Sequence, residues 1–243
     1  MVQAIIYGGI TGLSLLIGAW VGITFHLKQK TVAAIMAFGS GTLICALTFG
    51  LMEEAFRHGG FDAVIMGFLA GGLVFIAGDY ILHVRGGRKH RRQQPYQPKR
   101  QSGGQIITLG AVLDGIPESI ALGIALFNST GTGLLMLAAI LLSNFPESIA
   151  SITGLQKEGF SKKRIYLMWA SVALVTLLVT VLSYQFLHNL RPNTIGTLEA
   201  FAAGAILAMV ADSMIPEAYE EGGVSIGLLT VLGFLVAFII SRF

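Results

Sequence analysis

The composition of this 243-residue chain excludes an ordinary soluble domain, because 54% of its residues are hydrophobic and only 12% are charged, about half the charged share usual in soluble proteins. The net charge of +3 does not indicate nucleic-acid binding, since nearly all basic residues fall between apolar segments. The single cysteine, Cys45, lies in an apolar run and excludes a disulfide framework. The chain is therefore predicted to be an all-α polytopic membrane protein.

Apolar windows of about 20 residues, the length that crosses a bilayer core, recur along the whole chain. They predict a single transmembrane domain over residues 1–243 with eight transmembrane helices, at about residues 4–25, 31–55, 62–84, 105–127, 132–155, 163–187, 197–218 and 224–241. The stretch 85–104 holds seven Lys/Arg, two Pro and several Gln, which predicts a flexible basic loop after the third span.

The basic residues also predict the orientation of the spans. The loops after spans one, three and five carry 13 of the 16 Lys/Arg, leaving only Arg57, Arg191 and Arg242 on the other side. The positive-inside rule places these loops, including 85–104, in the cytoplasm and both termini outside it, in a plasma or inner membrane. The basic loop could instead bind nucleic acid or lipid, but topology already accounts for its charge.

One five-residue sequence, Pro-Glu-Ser-Ile-Ala, occurs twice in the chain. The copies are Pro117–Ala121 in span four and Pro146–Ala150 in span five. A carboxylate in the hydrocarbon region is costly, so it is expected to belong to a polar pathway or site. Each proline also frees the carbonyl four residues upstream, at Leu113 or Leu142, from the helical hydrogen bonds. The pattern predicts an oxygen-lined cation site.

Further polar residues extend this site. Asp114 and Glu118 lie four residues apart on one face of span four, and consecutive spans run antiparallel, so matching motifs near their middles can meet at one depth. The predicted metal ligands are Asp114, Glu118, Ser143, Asn144 and Glu147, with Asp212, late in span seven, lining the pathway. The alternative is a set of protonated acids in interhelical hydrogen bonds, with the prolines merely kinking the helices.

Two weaker sequence patterns each have two possible interpretations. Glu53 and Glu54 lie at the end of span two. They either attract cations to the outer opening of the pathway or form a solvated helix end. Three glycine pairs have small-xxx-small spacing: Gly8/Gly12, Gly18/Gly22 and Gly67/Gly71. This spacing indicates close packing between helices of one chain more often than a dimer interface, and homodimerisation stays open.

At the Pro-Glu motifs the chain resembles the ZIP (Zrt/Irt-like) family of divalent-metal transporters. The family's span four reads His-Asn-x-Pro-Glu-Gly, and residues 114–119 fit that frame. Its span five reads His or Gln, then Asn or Asp, then x-Pro-Glu-Gly, which residues 143–148 match. The resemblance covers nearly the whole chain and implies eight spans, a basic loop after span three, and metal binding by spans four and five.

The departures from the family pattern concern the ligands. Asp114 replaces the first His, Gly115 the Asn after it, and Ser143 the His or Gln of span five. The family's span six Glu falls at Thr176, and its span seven His-Glu pair at Asp212-Ser213. The chain is thus a divergent member without the usual histidine ligands. An oxygen-only site suits harder cations, so the prediction is one central metal, shifted toward Mn²⁺ or Fe²⁺.

The resemblance implies a transporter that moves Zn, Mn or Fe toward the cytoplasm, with no cofactor beyond the transported ion. The predicted partners are divalent metal ions and the lipid bilayer, not nucleic acid. Two alternatives remain: a non-transporting metal sensor or scaffold, favoured by Thr176 and Ser213, and an intramembrane metal-dependent hydrolase. The sequence contains no His-Glu-x-x-His motif, which argues against an enzyme.

Overall fold

The computed structural model describes residues 1–25, 27–84, 103–128 and 132–242. Residues 85–102 of the predicted basic loop lie outside the described residues. Every regular element in the described ranges is helical. The elements are α1 (Val2–Thr24), α2 (Gln29–Ala46), a π-helical turn (Leu47–Met52), α3 (Glu53–Val84), α4 (Gly103–Asn128), α5 (Thr132–Lys157), α6 (Lys162–Phe186), a 3-10 turn (Leu187–Asn189), α7 (Pro192–Met209), a second π-helical turn (Val210–Met214), α8 (Ile215–Gly222) and α9 (Ser225–Ile240).

Six of the helical stretches within the described residues are long and apolar enough to cross a membrane, which confirms the all-α polytopic fold. One of them, Gln29–Leu82, has 54 residues and would be about 80 Å long if straight, far more than a bilayer core of about 30 Å. Its helical path is broken at Gly60, whose φ of 64° and ψ of −164° suit glycine and not a residue with a Cβ. If the Gln29–Leu82 stretch is divided at Gly60 into two spans and the shorter apolar helix α9 is added, the six stretches become eight crossings. The count of eight stays a prediction.

Glycines allow the helices to pack closely. Gly8 and Gly12 face α6, where an ideal Cβ on Gly12 would lie 3.1 Å from the Ala173 carbonyl oxygen. Gly67 and Gly71 face α7, and a Cβ on Gly71 would collide with the Phe201 carbonyl oxygen. The remaining pair, Gly18/Gly22, faces α5. All three small-xxx-small pairs therefore serve contacts within the chain, as their spacing predicted.

The helices form two groups by their main contacts. Helices α1, α4, α5 and α6 pack together around a buried cluster that includes Leu15, Ile152 and Trp169. Helices α2, α3, α7, α8 and α9 form the second group, with α3 on α7 and α2 on α9. The groups meet where α2 packs on α5 and α4 packs on α7. The two helices with the Pro-Glu motifs thus belong to one group and face the other.

The irregular helical turns are not at Pro117 or Pro146, although one of them ends two residues before Pro216. Pro117 and Pro146 lie inside the continuous helices α4 and α5. The pattern of backbone hydrogen bonds changes instead at the two π-helical turns. These are Leu47–Met52, which follows α2, and Val210–Met214, which follows α7, both in the second group. Insertions of this kind are frequent at functional sites and hinges. The sequence indicated neither of them.

Candidate metal centre

The carboxylate of Glu118 joins α4 to α5 through a hydrogen bond. Ser143 Oγ of α5 donates to Glu118 Oε1 at 2.8 Å, and it also lies 3.0 Å from the Ile140 carbonyl oxygen. Glu118 is 2% exposed and Ser143 is fully buried. The predicted meeting of the two motif helices at one depth is present at this pair.

The second oxygen of Glu118 has a different environment. Oε2 is buried and has no hydrogen-bond partner among the described residues. A protonated carboxyl would need an acceptor for its O–H, and an unmatched buried carboxylate oxygen is costly. A cation at Oε2 would satisfy this atom, so the donor chemistry of Glu118 fits a metal ligand.

The other predicted ligands lie around this pair. Asp114 is 6% exposed and precedes Glu118 by one helical turn on α4. Asn144 is 3% exposed and follows Ser143 directly, whereas Glu147, one turn further along α5, is half-buried. Carboxylate, hydroxyl and amide oxygens are thus placed on two adjoining helices. All are oxygen donors, the type that divalent cations of harder character prefer.

The carboxylates do not converge as a set of three. Within the described part of the chain, no three His, Cys, Asp or Glu side chains lie together closely enough to hold a metal ion. A cation at Glu118 therefore has to be completed by hydroxyl and amide oxygens, by water, or by movement of a further carboxylate. The shared ligation of one cation by Asp114, Glu118 and Glu147 stays a prediction.

The carbonyl released by Pro146 packs against another helix. An ideal Cβ on Gly39 of α2 would lie 2.5 Å from the Leu142 carbonyl oxygen, so glycine is needed for this close approach. Leu142 immediately precedes Ser143 in α5. This carbonyl therefore contributes to the contact between the two helix groups.

Comparison with known proteins decides the family. A sequence model described as ZIP Zinc transporter matches residues 82–242, more than half of the chain, and includes both Pro-Glu motifs. This chain belongs to the ZIP family. It is also 26% identical over 207 residues to an Arabidopsis thaliana protein described as a "Putative zinc transporter"; the match covers 82% of this chain and 32% of that relative. The chain thus spans about a third of the relative's length.

Two of the ZIP departures contact each other. An ideal Cβ on Gly115 would lie 2.8 Å from Thr176 Cγ2 of α6. Thr176 is buried, and its hydroxyl donates to the Ala173 carbonyl at 3.0 Å. The Thr176 methyl therefore occupies the space into which a side chain at position 115 would project. Gly115 and Thr176, two positions at which the chain departs from the family pattern given by the resemblance, therefore adjoin each other in the fold.

The span seven position of the ZIP pattern lies in the second π-helical turn. Asp212 is exposed there, and Ser213 is buried at 7% exposure. Asp212 thus lies on the turn that follows α7, and its part in the pathway stays a prediction.

The most buried acidic residue of the chain was not predicted. Glu199 of α7 is fully buried and lies 2.9 Å from His58 Nδ1 and 2.6 Å from Asn128 Nδ2. Glu54, which the sequence predicted to lie at a solvated helix end or at the opening of the pathway, is buried, with 8% of its surface exposed. The available signal was a carboxylate near the start of span seven, followed by an apolar run up to Val210, and a carboxylate within a span by default marks a functional or paired group.

Proposed function

We propose that this ZIP-family chain carries a divalent cation across the membrane through an oxygen-lined centre between α4 and α5. The observation that carries the proposal is Glu118, which is buried, is held through Oε1 by Ser143, and has an unmatched Oε2. A cation ligated at Oε2 would remove the cost of that oxygen. Asp114, Asn144 and Glu147 supply the neighbouring oxygens.

The cargo is a divalent metal ion of the group Zn²⁺, Mn²⁺ and Fe²⁺. Carboxylate, hydroxyl and amide oxygens accept Mn²⁺ and Fe²⁺, and the absence of imidazole from the predicted set removes the donor that best suits Zn²⁺. The ZIP family and the Arabidopsis relative both support zinc as one cargo. We therefore expect weak discrimination among these ions.

Transport would alternate access to the centre by movement of one helix group against the other. The positive-inside distribution of Lys/Arg favours passage toward the cytoplasm, with both termini on the outer side. Asp212, exposed on the π-helical turn after α7, is proposed as a weaker stop along this path.

A non-transporting sensor or scaffold is the second candidate. The packing of the Thr176 methyl on Gly115 favours it, because the space for two family ligands is closed. A sensor would bind a metal at Glu118 without carrying it. Binding alone therefore cannot separate the two functions.

Flux into proteoliposomes tests the proposal. Purified protein is reconstituted with a fluorescent metal indicator inside, and Zn²⁺ or Mn²⁺ is added outside. Wild type and Asp62→Asn, which changes an exposed carboxylate, should transport, whereas Glu118→Ala and Glu147→Ala should not. Metal binding by wild type with no flux would favour the sensor, and equal flux by Glu118→Ala would contradict the proposed site.

A further inference from the structure

Three polar side chains from three helices meet at the end of the bundle where the chain turns at Gly60, here called the Gly60 end. Glu199 Oε1 of α7 accepts a hydrogen bond from Asn128 Nδ2 of α4 at 2.6 Å. Glu199 Oε2 lies 2.9 Å from His58 Nδ1 of α3. Glu199 is fully buried, whereas the His58 side chain is 29% exposed. A buried carboxylate with both oxygens occupied thus ties three helices together.

This cluster crosses the boundary between the two helix groups. Asn128 is the last residue of α4, in the first group, and His58 and Glu199 belong to α3 and α7, in the second. Asn128 follows Glu118 by ten residues, or about 15 Å along the helix axis. The cluster is therefore remote from the metal centre but fixes the end of the helix that carries it.

We propose that Asn128, Glu199 and His58 form a latch that positions the end of α4 against α3 and α7 and makes the transport rate depend on pH at the Gly60 end. The three are positioning residues, since none contacts the proposed cargo site. The inference rests on the proposed transport function, because it requires that the helix groups move relative to each other.

The direction of the pH effect follows from the hydrogen bond at His58. Imidazole is the side chain that ordinarily changes charge between about pH 5 and 8. A protonated His58 donates to the Glu199 carboxylate in a charge-assisted bond, which is stronger than the bond from a neutral ring. While the Glu199 carboxylate is ionised, acid therefore tightens the latch and slows movement between the groups, and higher pH loosens it.

Other charged and titratable groups lie near His58, on its own helix and on the elements packed against it. Arg57 lies 2.9 Å from Glu53 and 3.4 Å from Glu54, so the two acids beside the latch already have a cationic partner. Glu54 also interacts electrostatically with Glu199. The other titratable or charged groups at this end are Asp62 on α3, His188 beside Phe127 and Tyr184, and Arg191 before α7.

Hydrogen exchange tests the latch without reference to transport. Asn128→Leu removes the donor to Glu199, and Asn128→Asp places a second carboxylate against it; each should speed exchange of the Leu122–Phe127 amides about tenfold or more. The double variant Asn128→Asp/Glu199→Gln reverses the amide–carboxylate pair and should restore slow exchange. Asn189→Asp, exposed at the same end, is the control for added charge. Unchanged exchange in both single variants, or no restoration in the double variant, would overturn the latch.

The pH profile of flux tests its control of transport. Wild-type flux should be about fivefold slower at pH 5.5 than at pH 7.5, after correction for the change that the control variant shows over the same range. The control is His58→Asn, because asparagine keeps a donor near the Nδ1 position but has no proton to gain or lose in this range. Identical profiles for the two proteins would overturn the pH dependence. If wild type carries no metal at any pH, the proposed function fails, and hydrogen exchange still decides the latch.

Discussion

Replacement of Gly115 by alanine should damage the packing beside the metal centre. The new Cβ would lie 2.8 Å from Thr176 Cγ2, whereas carbon atoms in contact prefer about 3.5–4.0 Å. Helices α4 and α6 would have to separate by roughly 0.7–1.2 Å, or Thr176 would have to leave its position. Overpacking of this kind costs about 1–3 kcal/mol, against a gain of about 1 kcal/mol from alanine in a helix.

A matched glycine gives the reference for this change. Gly9 of α1 has no atom within 4 Å of an ideal Cβ, so Gly9→Ala should show only the helical gain. The midpoint temperature of thermal unfolding in detergent should therefore be about 2–12 °C lower for Gly115→Ala than for Gly9→Ala, taking about 2–4 °C per kcal/mol for a chain of this size.

Thr176→Ser identifies the colliding atom. Serine lacks Cγ2 but keeps the hydroxyl that donates to the Ala173 carbonyl, at a cost of about 0.5–1.5 kcal/mol for the lost methyl. Combined with Gly115→Ala, it should destabilise by at least about 1 kcal/mol less than the sum of the single changes. Equal midpoints for Gly115→Ala and Gly9→Ala, or strict additivity in the double variant, would refute the spatial complementarity of positions 115 and 176.

Three further predictions concern the centre and the pathway. Ser143→Ala removes the donor to Glu118 Oε1 and should weaken metal binding about tenfold or more, measured by competition with a metal indicator; unchanged affinity would show that Ser143 does not hold the carboxylate. Asp114→His introduces a nitrogen donor and should raise the preference for Zn²⁺ over Mn²⁺ in competitive uptake, so an unaltered preference would place Asp114 outside the ligand set. Asp212→Ala should slow flux while leaving equilibrium binding intact, and loss of binding would mean that this residue belongs to the centre.

The helices and the main polar pair were predictable from local pattern. Apolar runs defined the spans, and the gap between the predicted spans 31–55 and 62–84 contains the interruption at Gly60. The spacing of Asp114 and Glu118, with the repeated motif in an antiparallel neighbour, predicted a meeting of α4 and α5 that the Glu118–Ser143 bond shows. These features depend on residues within one or two helical turns of each other or on a repeated motif.

The remaining features depend on contacts that no local pattern encodes. His58 and Glu199 are 141 residues apart, and Asn128 and Glu199 are 71 apart, so only the packing of α3, α4 and α7 brings them together. Thr176 fits Gly115 because α6 lies on α4. The first π-helical turn contains no proline, whereas the second ends two residues before Pro216, whose missing N–H leaves the Asp212 carbonyl four residues upstream without its helical donor.

X-ray absorption of the zinc-loaded protein tests the central claim most directly, because it reads the atoms around the metal. The account predicts one metal per chain with a shell of oxygen atoms at about 2.0–2.2 Å and no imidazole or sulfur scattering, and loss of this signal in Glu118→Gln. Imidazole or sulfur in the shell, two tightly bound metals per chain, or an unchanged spectrum in Glu118→Gln would contradict an oxygen-lined centre built on Glu118.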